Sequence, residues 1–394
     1  MTRDRVVITG IGLVSAIGSN LSENLTNLRQ GKSGVSEMEF LGSEHKGLPV
    51  GEVKLSNRQM CEMLGIVDGE LVSRTFLLGA LAVKEALGFL PPAMRDGLAL
   101  VSGTTVAGMD VTEKLYPEPL PADSDPVHDC GSNTNSIAKY FGCFDYATTI
   151  STACSSALNS LIFGKRLIEG GVRDIVVAGG SEALSKFHLN GFKSLMILDE
   201  RRCRPFDKTR AGLNLGEGAA FMVLERESSA LARNASILAV LSGAGNACDA
   251  YHQTASSPGG EGAFLAMERA LASARLAPAD IDYISAHGTG TPDNDASESA
   301  AIKRLFGQNH PPVSSTKALT GHTTSASGSI EAAFCILAMN NRFLPVNAGF
   351  STSDENCITP LTSDVAPDCR IDNVMCNSFG FGGNDSSIIL SRYE

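Results

Sequence analysis

One cysteine and two histidines carry the chemistry this sequence could do. Cys154 sits in Thr149-Ile-Ser-Thr-Ala-Cys-Ser-Ser-Ala157, where a strand-like run gives way to the small residues that open a helix. A thiol at a helix start faces unpaired backbone N–H groups and the positive end of the helix dipole. Both favour the thiolate, the form that attacks a thioester carbonyl. His287 follows the apolar Tyr283-Ile-Ser-Ala run and opens His287-Gly-Thr-Gly-Thr291, a turn with two hydroxyls and close backbone approach. His322 follows Gly321 at another element end, five residues after Lys317. Neutral imidazoles can donate N–H bonds to a developing oxyanion, and a nearby ammonium keeps an imidazole neutral. One thiol and two imidazoles at element ends suit acyl transfer coupled to enolate chemistry. Taken singly, each has a plainer reading: a structural cysteine, a core histidine, a surface lysine.

The elements that must position these groups are α/β in kind. After Cys154, Leu158, Leu161, Ile162 and Leu167 recur at helical spacing, and Gly170-Gly171 closes the run. Asp174-Ile-Val-Val-Ala-Gly-Gly180 then reads as a buried parallel strand. The two halves of the chain show the same elements in the same order. Val6–Gly12 matches Leu238–Gly245, each a strand running into Gly-x-Gly; the helices around Phe76–Leu87 and Phe264–Leu276 follow. Leu98–Thr105 matches Ile281–Gly288, and the Cys154 helix matches the one after Gly321-His322. Each half ends in two further strands, 174–180 and 219–224 in one, 373–377 and 386–391 in the other. The expectation is a pseudo-duplicated α/β molecule with mainly parallel sheets. Residues 1–230 would form the half with the cysteine, and residues 231–394 the half with both histidines.

Composition narrows the alternatives. A formal charge of −11 and the absence of tryptophan argue against a nucleic-acid partner or an anionic membrane surface. The ten cysteines show no CxxC and no Cys/His spacing suited to zinc, so no metal is expected. Free thiols in a chain of 394 residues indicate a reducing compartment, and a cytoplasmic location is expected. Gly10-x-Gly12 has Ser15 where a dinucleotide fingerprint needs its third glycine, so it is no sign of NAD binding.

At these residues the sequence resembles the β-ketoacyl-acyl-carrier-protein synthases of the elongating type, condensing enzymes of the thiolase fold. The resemblance rests on Ser151-Thr-Ala-Cys154-Ser-Ser, Arg204-Pro-Phe-Asp207, Gly216-Glu-Gly218 and His287-Gly-Thr-Gly-Thr291. Asn294-Asp295 with Glu298, Ser315-Thr-Lys317 with Gly321-His322, and Asn377-Ser-Phe-Gly-Phe-Gly-Gly383 complete it in family order. It implies the αβαβα layering of that fold and a ping-pong condensation. Cys154 would take an acyl group from a carrier-protein thioester, with its own N–H and that of Phe381 as oxyanion hole. His287 and His322 would then assist decarboxylation of malonyl-carrier protein, and the carbanion would attack the acyl-Cys154 thioester. Lys317 and Glu331 match the supporting polar network, and Thr289 and Thr291 the residues that bind the phosphopantetheine arm. Phe379 and Phe381 lie on a gating loop; Thr104, Thr105, Met109 and Phe192 fall where the acyl pocket would be lined. No cofactor is implied, because the substrates ride on the carrier protein.

Keeping both His287 and His322 disfavours a chain-initiating synthase, and no second cysteine in residues 379–385 disfavours a thiolase. The resemblance implies an acyl carrier protein as partner and a homodimer. The alternative is a ketosynthase subunit of a specialised aryl-polyene, flexirubin-like or other polyketide pathway, paired with a chain-length-factor-like chain. A non-catalytic chain-length partner would lack the nucleophile, and Cys154 argues against that. Departures from the family pattern include Ser325-Ala-Ser-Gly328, Asn384-Asp385 for Thr-Asn, Ala211 for aspartate, and Leu213 for an aromatic. An acidic carrier protein would need a local basic dock, for which Arg201, Arg202 and Arg204, or Lys54 and Arg58, are candidates.

Overall fold

The computed structural model describes residues 4–67, 71–118, 129–363 and 370–394. Its strands are β1 (Val6–Ser15), β2 (Leu98–Gly103), β3 (Phe144–Ile150), β4 (Ile175–Glu182), β5 (Gly218–Arg226), β6 (Ala239–Cys248), β7 (Tyr283–Ser285), β8 (Val313–Ser314), β9 (Asn373–Gly380) and β10 (Asn384–Ser391). They hydrogen-bond in the order β3-β2-β4-β5-β1-β6-β10-β9-β7-β8. Counted outward from the centre, β1-β5-β4-β2-β3 and β6-β10-β9-β7-β8 are the same arrangement made twice. The pairings repeat too: β2 is parallel to β3 and β4, and β7 to β8 and β9, whereas β5 and β10 run antiparallel to both their neighbours. The halves meet where Val7 pairs with Val240 and Ile8 with Ala239.

The sheet is therefore mixed, not mainly parallel as the alternating pattern suggested. Only Phe381–Gly383 separates β9 from β10, too short for the crossover that a parallel pair requires. The repeat carries the same antiparallel geometry into β4 and β5.

Helices complete five layers. Arg74–Leu87 covers β1, β4 and β5 on one outer face, and Glu261–Ala274 covers β6 and β10 on the other. Between the halves lie Ser156–Glu169 and Ser327–Asn341, which touch each other and strands of both halves. A helix in that central layer has no solvent face, and Ser327 to Met339 are all buried.

The two Gly-x-Gly motifs lie inside β1 and β6, not in turns at their ends as the sequence suggested, and they are packing devices. A Cβ on Gly12 would lie 1.8 Å from the Ala82 carbonyl oxygen, and one on Gly245 would lie 2.0 Å from that of Ala266. Each glycine lets an outer helix press its backbone onto a strand. Gly12→Ala must push β1 off the Arg74 helix and should cost roughly 3 kcal/mol. A denaturant midpoint equal to that of the unaltered chain would contradict this account of the motif.

Candidate active site

Cys154 stands on a strained elbow between β3 and the Ser156 helix. Ala153, just before it, has φ of 51°, a left-handed conformation that costs an L-residue about 1–2 kcal/mol. Hydroxyls hold the turn: Ser156 Oγ donates to the Ala153 carbonyl at 2.6 Å and accepts from Thr152 N at 2.9 Å, while Ser155 Oγ donates to the Thr152 carbonyl at 2.8 Å. Ser378 Oγ on β9 donates to the Cys154 carbonyl at 2.9 Å. The Ser-Thr-Ala-Cys-Ser-Ser run is thus the set of side chains that keeps the elbow bent.

The structure brings both histidines to this thiol. His322 Nε2 lies 3.1 Å from Cys154 Sγ, and the two imidazole rings meet edge to face with centroids 5.2 Å apart. Sγ and a ring nitrogen of each histidine all lie within 4.8 Å of one another. His322 Nδ1 is buried without a partner. A buried lone pair left unpaired is tolerated better than a buried N–H, so the hydrogen-bond pattern puts the His322 proton on Nε2. For His287, Lys317 Nζ approaches Nδ1 at 3.4 Å and donates to the backbone carbonyl at 2.6 Å, so its N–H also falls on Nε2. Burial, then the Lys317 charge, holds both imidazoles well below the usual histidine range. They are neutral N–H donors.

Lys317 and Glu331 sit behind the rings, both almost fully buried, with Nζ to Oε1 at 2.5 Å. Burial raises the Glu331 carboxyl and the Lys317 ammonium opposes it. These two act through His287 and do not line the cavity in front of it. The His287 turn is clamped from its other side by Glu298, which accepts from the N–H groups of His287 and Gly288 at 2.9 and 2.8 Å. The Arg204–Asp207 motif serves the same turn. Phe206 N donates to Asp295 at 2.7 Å, and its ring lies where a Cβ on Gly288 would stand 2.9 Å away.

Sequence reasoning favoured a thiolate at Cys154, and the structure corrects this. Burial pushes the thiol up to about 11, opposed by the Lys317 charge and by the N–H groups of Phe381 and of Cys154 itself. A helix terminus contributes about 0.3–1 kcal/mol, whereas taking an anion out of water costs several kcal/mol. Desolvation wins, and Cys154 rests as a thiol. Iodoacetamide should accordingly alkylate Cys154 at a rate still rising above about pH 9. A rate that levels off below about pH 8 would show a solvated, activated thiol instead.

In front of these groups lies a cavity of about 260 Å³. Cys154, His287 and His322 form its floor, and Thr289, Thr291, Phe379, Phe381 and Phe192 line its walls. Thr289 and Thr291 share a hydroxyl contact of 2.8 Å, and Phe192 stacks on Phe381 with centroids 5.7 Å apart. Leu213 joins the lining, but Thr104 and Met109 do not. Thr104 Oγ1 donates instead to the buried carboxylate of Glu182 at 2.9 Å, where Thr105 and Ser325 also donate. That network accounts for Ser325 in place of a smaller residue. Neither Glu182 nor Asp249, which also lines the cavity, was visible in the sequence, because no spacing distinguishes them from other acidic residues.

The fold and this site define a condensing-enzyme class: a buried cysteine and two neutral imidazoles at the centre of a duplicated αβαβα molecule. Family models described as β-ketoacyl synthase, N-terminal and C-terminal domain, match residues 75–230 and 238–351. The chain belongs to the β-ketoacyl synthase family of acyltransferases. It is 34% identical to a 3-oxoacyl-[acyl-carrier-protein] synthase 2 of Coxiella burnetii, over 100% of this chain and 99% of that one. Among solved structures it is similar to the ishigamide ketosynthase/chain length factor, with a TM-score of 0.91, 32% identity and full coverage of both chains. It is also similar to the ketosynthase ApeO, in complex with its chain length factor ApeC, from Xenorhabdus doucetiae; there the TM-score is 0.84 and the identity 33%, over 99% of this chain and 98% of that one.

Proposed function

We propose that this chain extends an acyl chain by two carbons through decarboxylative Claisen condensation with malonyl-acyl-carrier protein. The observation that carries the reading is the joint placement of Cys154 Sγ and the two imidazoles within 4.8 Å at the floor of the cavity, with His322 Nε2 3.1 Å from Sγ. Cys154 attacks the acyl thioester, the N–H groups of Phe381 and Cys154 receive the oxyanion, and the carrier thiol leaves with the proton. Malonyl thioester then enters, and the N–H groups of His287 and His322 bind its thioester oxygen. Loss of carbon dioxide leaves an enolate on that oxygen, and its carbon attacks the acyl-Cys154 carbonyl; the C–S bond breaks, the β-ketoacyl product leaves, and the Cys154 thiolate takes a proton from solvent to restore the thiol. Thr289 and Thr291 line the path for the phosphopantetheine arm. The reading uses no metal or prosthetic group: the Lys317 ammonium, 3.4 Å from His287, opposes a second cation at this floor.

The test is intact-mass and product analysis of the purified chain given acyl- and malonyl-carrier protein. Acylated Cys154 and a chain longer by two carbons support the reading; an unmodified Cys154 overturns it. A second reading, that the active unit includes a chain-length-factor-like partner, is favoured by the ketosynthase/chain length factor pairs among the similar structures. β3 is the terminal strand of the sheet and leads straight into Cys154, so a second subunit on that edge would reach the acyl pocket. Extension only after the partner is added would select this reading over a self-sufficient homodimer.

For the carrier-protein dock, Arg201 and Arg202 are the better placed candidates. Both are exposed on the segment between Ile197 and Leu213, two residues of the cavity wall. Arg204 is not free for docking, since its guanidinium pairs with Asp199 at 2.8 Å and donates to the Thr209 carbonyl. Lys54 and Arg58 line no part of the cavity. Reversing Arg201 and Arg202 to glutamate should raise the KM for carrier protein about tenfold at low salt, with kcat little changed. An unaltered KM would move the dock elsewhere.

A further inference from the structure

The loop that carries Phe379 and Phe381 ends against two aspartates, and we propose that Asp385 is a positioning residue whose carboxyl proton latches this loop over Cys154. The inference rests on the condensing activity proposed above for its kinetic consequence, though not for its structural one. The loop turns at Gly382 and Gly383, with φ of 79° and 75°, before entering β10 at Asn384. Asp249 follows the end of β6, and its N–H donates to the Gly383 carbonyl at 2.9 Å. In the β6–β10 register Asn384 pairs with Cys248 and Asp385 with Ala247, so Asp249 and Asp385 flank the hinge. Their side chains converge beside Gly262, where a Cβ would stand 2.1 Å from Asp385 Oδ2 and 2.8 Å from Asp249 Cβ. Both residues line the catalytic cavity.

The two carboxyls are not equivalent. Asp249 accepts from Ser257 N at 2.7 Å with one oxygen and from Gly262 N at 3.3 Å with the other. Asp385 is buried, and the groups that act on it are both carboxyls, Asp249 and Glu298 on the helix Pro292–Phe306, with no cation among them. Burial, reinforced by Asp249 and Glu298, pushes its carboxyl up to about 8. At neutral pH Asp385 therefore keeps its proton and can offer an O–H to the neighbouring Asp249 carboxyl. The family's usual asparagine would offer an N–H there at every pH; a carboxyl does so only while protonated. When Asp385 gives its proton to solvent, two anions face each other at a glycine hinge, and the loop is pushed open. The N–H of Phe381 then leaves the carbonyl site at Cys154.

The sign of the stability effect is fixed by the same geometry. The folded chain holds a proton on Asp385 that the unfolded chain gives up near its ordinary range. Its burial therefore costs nothing at about pH 4 and costs progressively more up to about pH 8. Asp385→Asn should raise the melting temperature at about pH 8 and leave it nearly unaltered at about pH 4.

The deciding experiment is hydrogen exchange across residues 379–385, referenced to intrinsic rates, together with the pH profile of kcat and KM for condensation. In the unaltered chain, loop protection should fall about tenfold between about pH 7 and pH 9, and kcat should fall with it. Asp385→Asn, and separately Asp249→Asn, should abolish both falls. Loop protection that is independent of pH, or a fall that survives Asp385→Asn, overturns the proposal. A pH-dependent loop in a chain that condenses nothing at any pH supports the latch and overturns the functional reading instead.

Discussion

Cys154→Ala should abolish acyl transfer while leaving the fold intact and the malonyl-decarboxylating apparatus in place. Cys154 supplies the only thiol that lines the cavity among the described residues. The buried Cys203 does not substitute: burial pushes its thiol up to about 12, and it lines no part of the cavity. Loss of the nucleophile should lower condensation by on the order of 10⁴-fold or more. The elbow is held by Thr152, Ser155 and Ser156, not by the thiol, and Cys154 lines the cavity, so unfolding should not follow. The variant still has its Nε2–H donors on His287 and His322, and it should still release carbon dioxide from malonyl-carrier protein. Mass spectrometry of the protein and carbon dioxide release measure the two steps separately. Acylation at another residue, or loss of decarboxylation along with acylation, would contradict the division of labour drawn from the geometry.

Lys317→Met should damage both stability and chemistry, and a second substitution should separate them. Nζ of Lys317 joins Glu331, the His287 carbonyl and His287 Nδ1 in a space with almost no solvent. Glu331 Oε2 already lacks a partner, so removing the ammonium leaves a buried carboxylate with neither oxygen satisfied. Breaking such a pair from one side costs about 3–5 kcal/mol, whereas replacing both partners with apolar groups is often nearly neutral. Lys317→Met with Glu331→Leu should therefore recover most of the lost stability. Condensation should stay depressed by about a hundredfold in the double variant, because nothing then fixes the His287 tautomer with its N–H towards the substrate oxygen. Recovery of activity along with stability would make Lys317 a structural residue only.

Much of this site was legible in the linear sequence because its parts are local. Cys154 precedes a helix of recurrent apolar residues, His287 ends an apolar strand, and His322 follows a glycine; these are boundary signals of short range. The duplication was legible for the same reason, since hydrophobic periodicity and Gly-x-Gly motifs survive in the order of the elements. The motifs around Thr289, Thr291, Phe379 and Phe381 likewise pointed to the cavity wall that they form.

What only the tertiary structure decided depends on groups far apart in the chain. The charge of Cys154 was misjudged from its helix position because burial by elements distant in the chain outweighs that helix end, even with the Lys317 charge and the Phe381 N–H opposing it. Thr104 looked like a pocket residue until Glu182, 78 positions away, was found to hold its hydroxyl. Arg204 looked like a surface cation until Asp199 and the Thr209 carbonyl accounted for its guanidinium. Strand direction followed a three-residue connection between β9 and β10 that alternation alone does not reveal. Asp385 was visible as an unusual residue, yet its partner Asp249 lies on another strand's end. Local patterns specify where an element stops and what residue stands there; burial and charge pairing arise only when separate elements close around it.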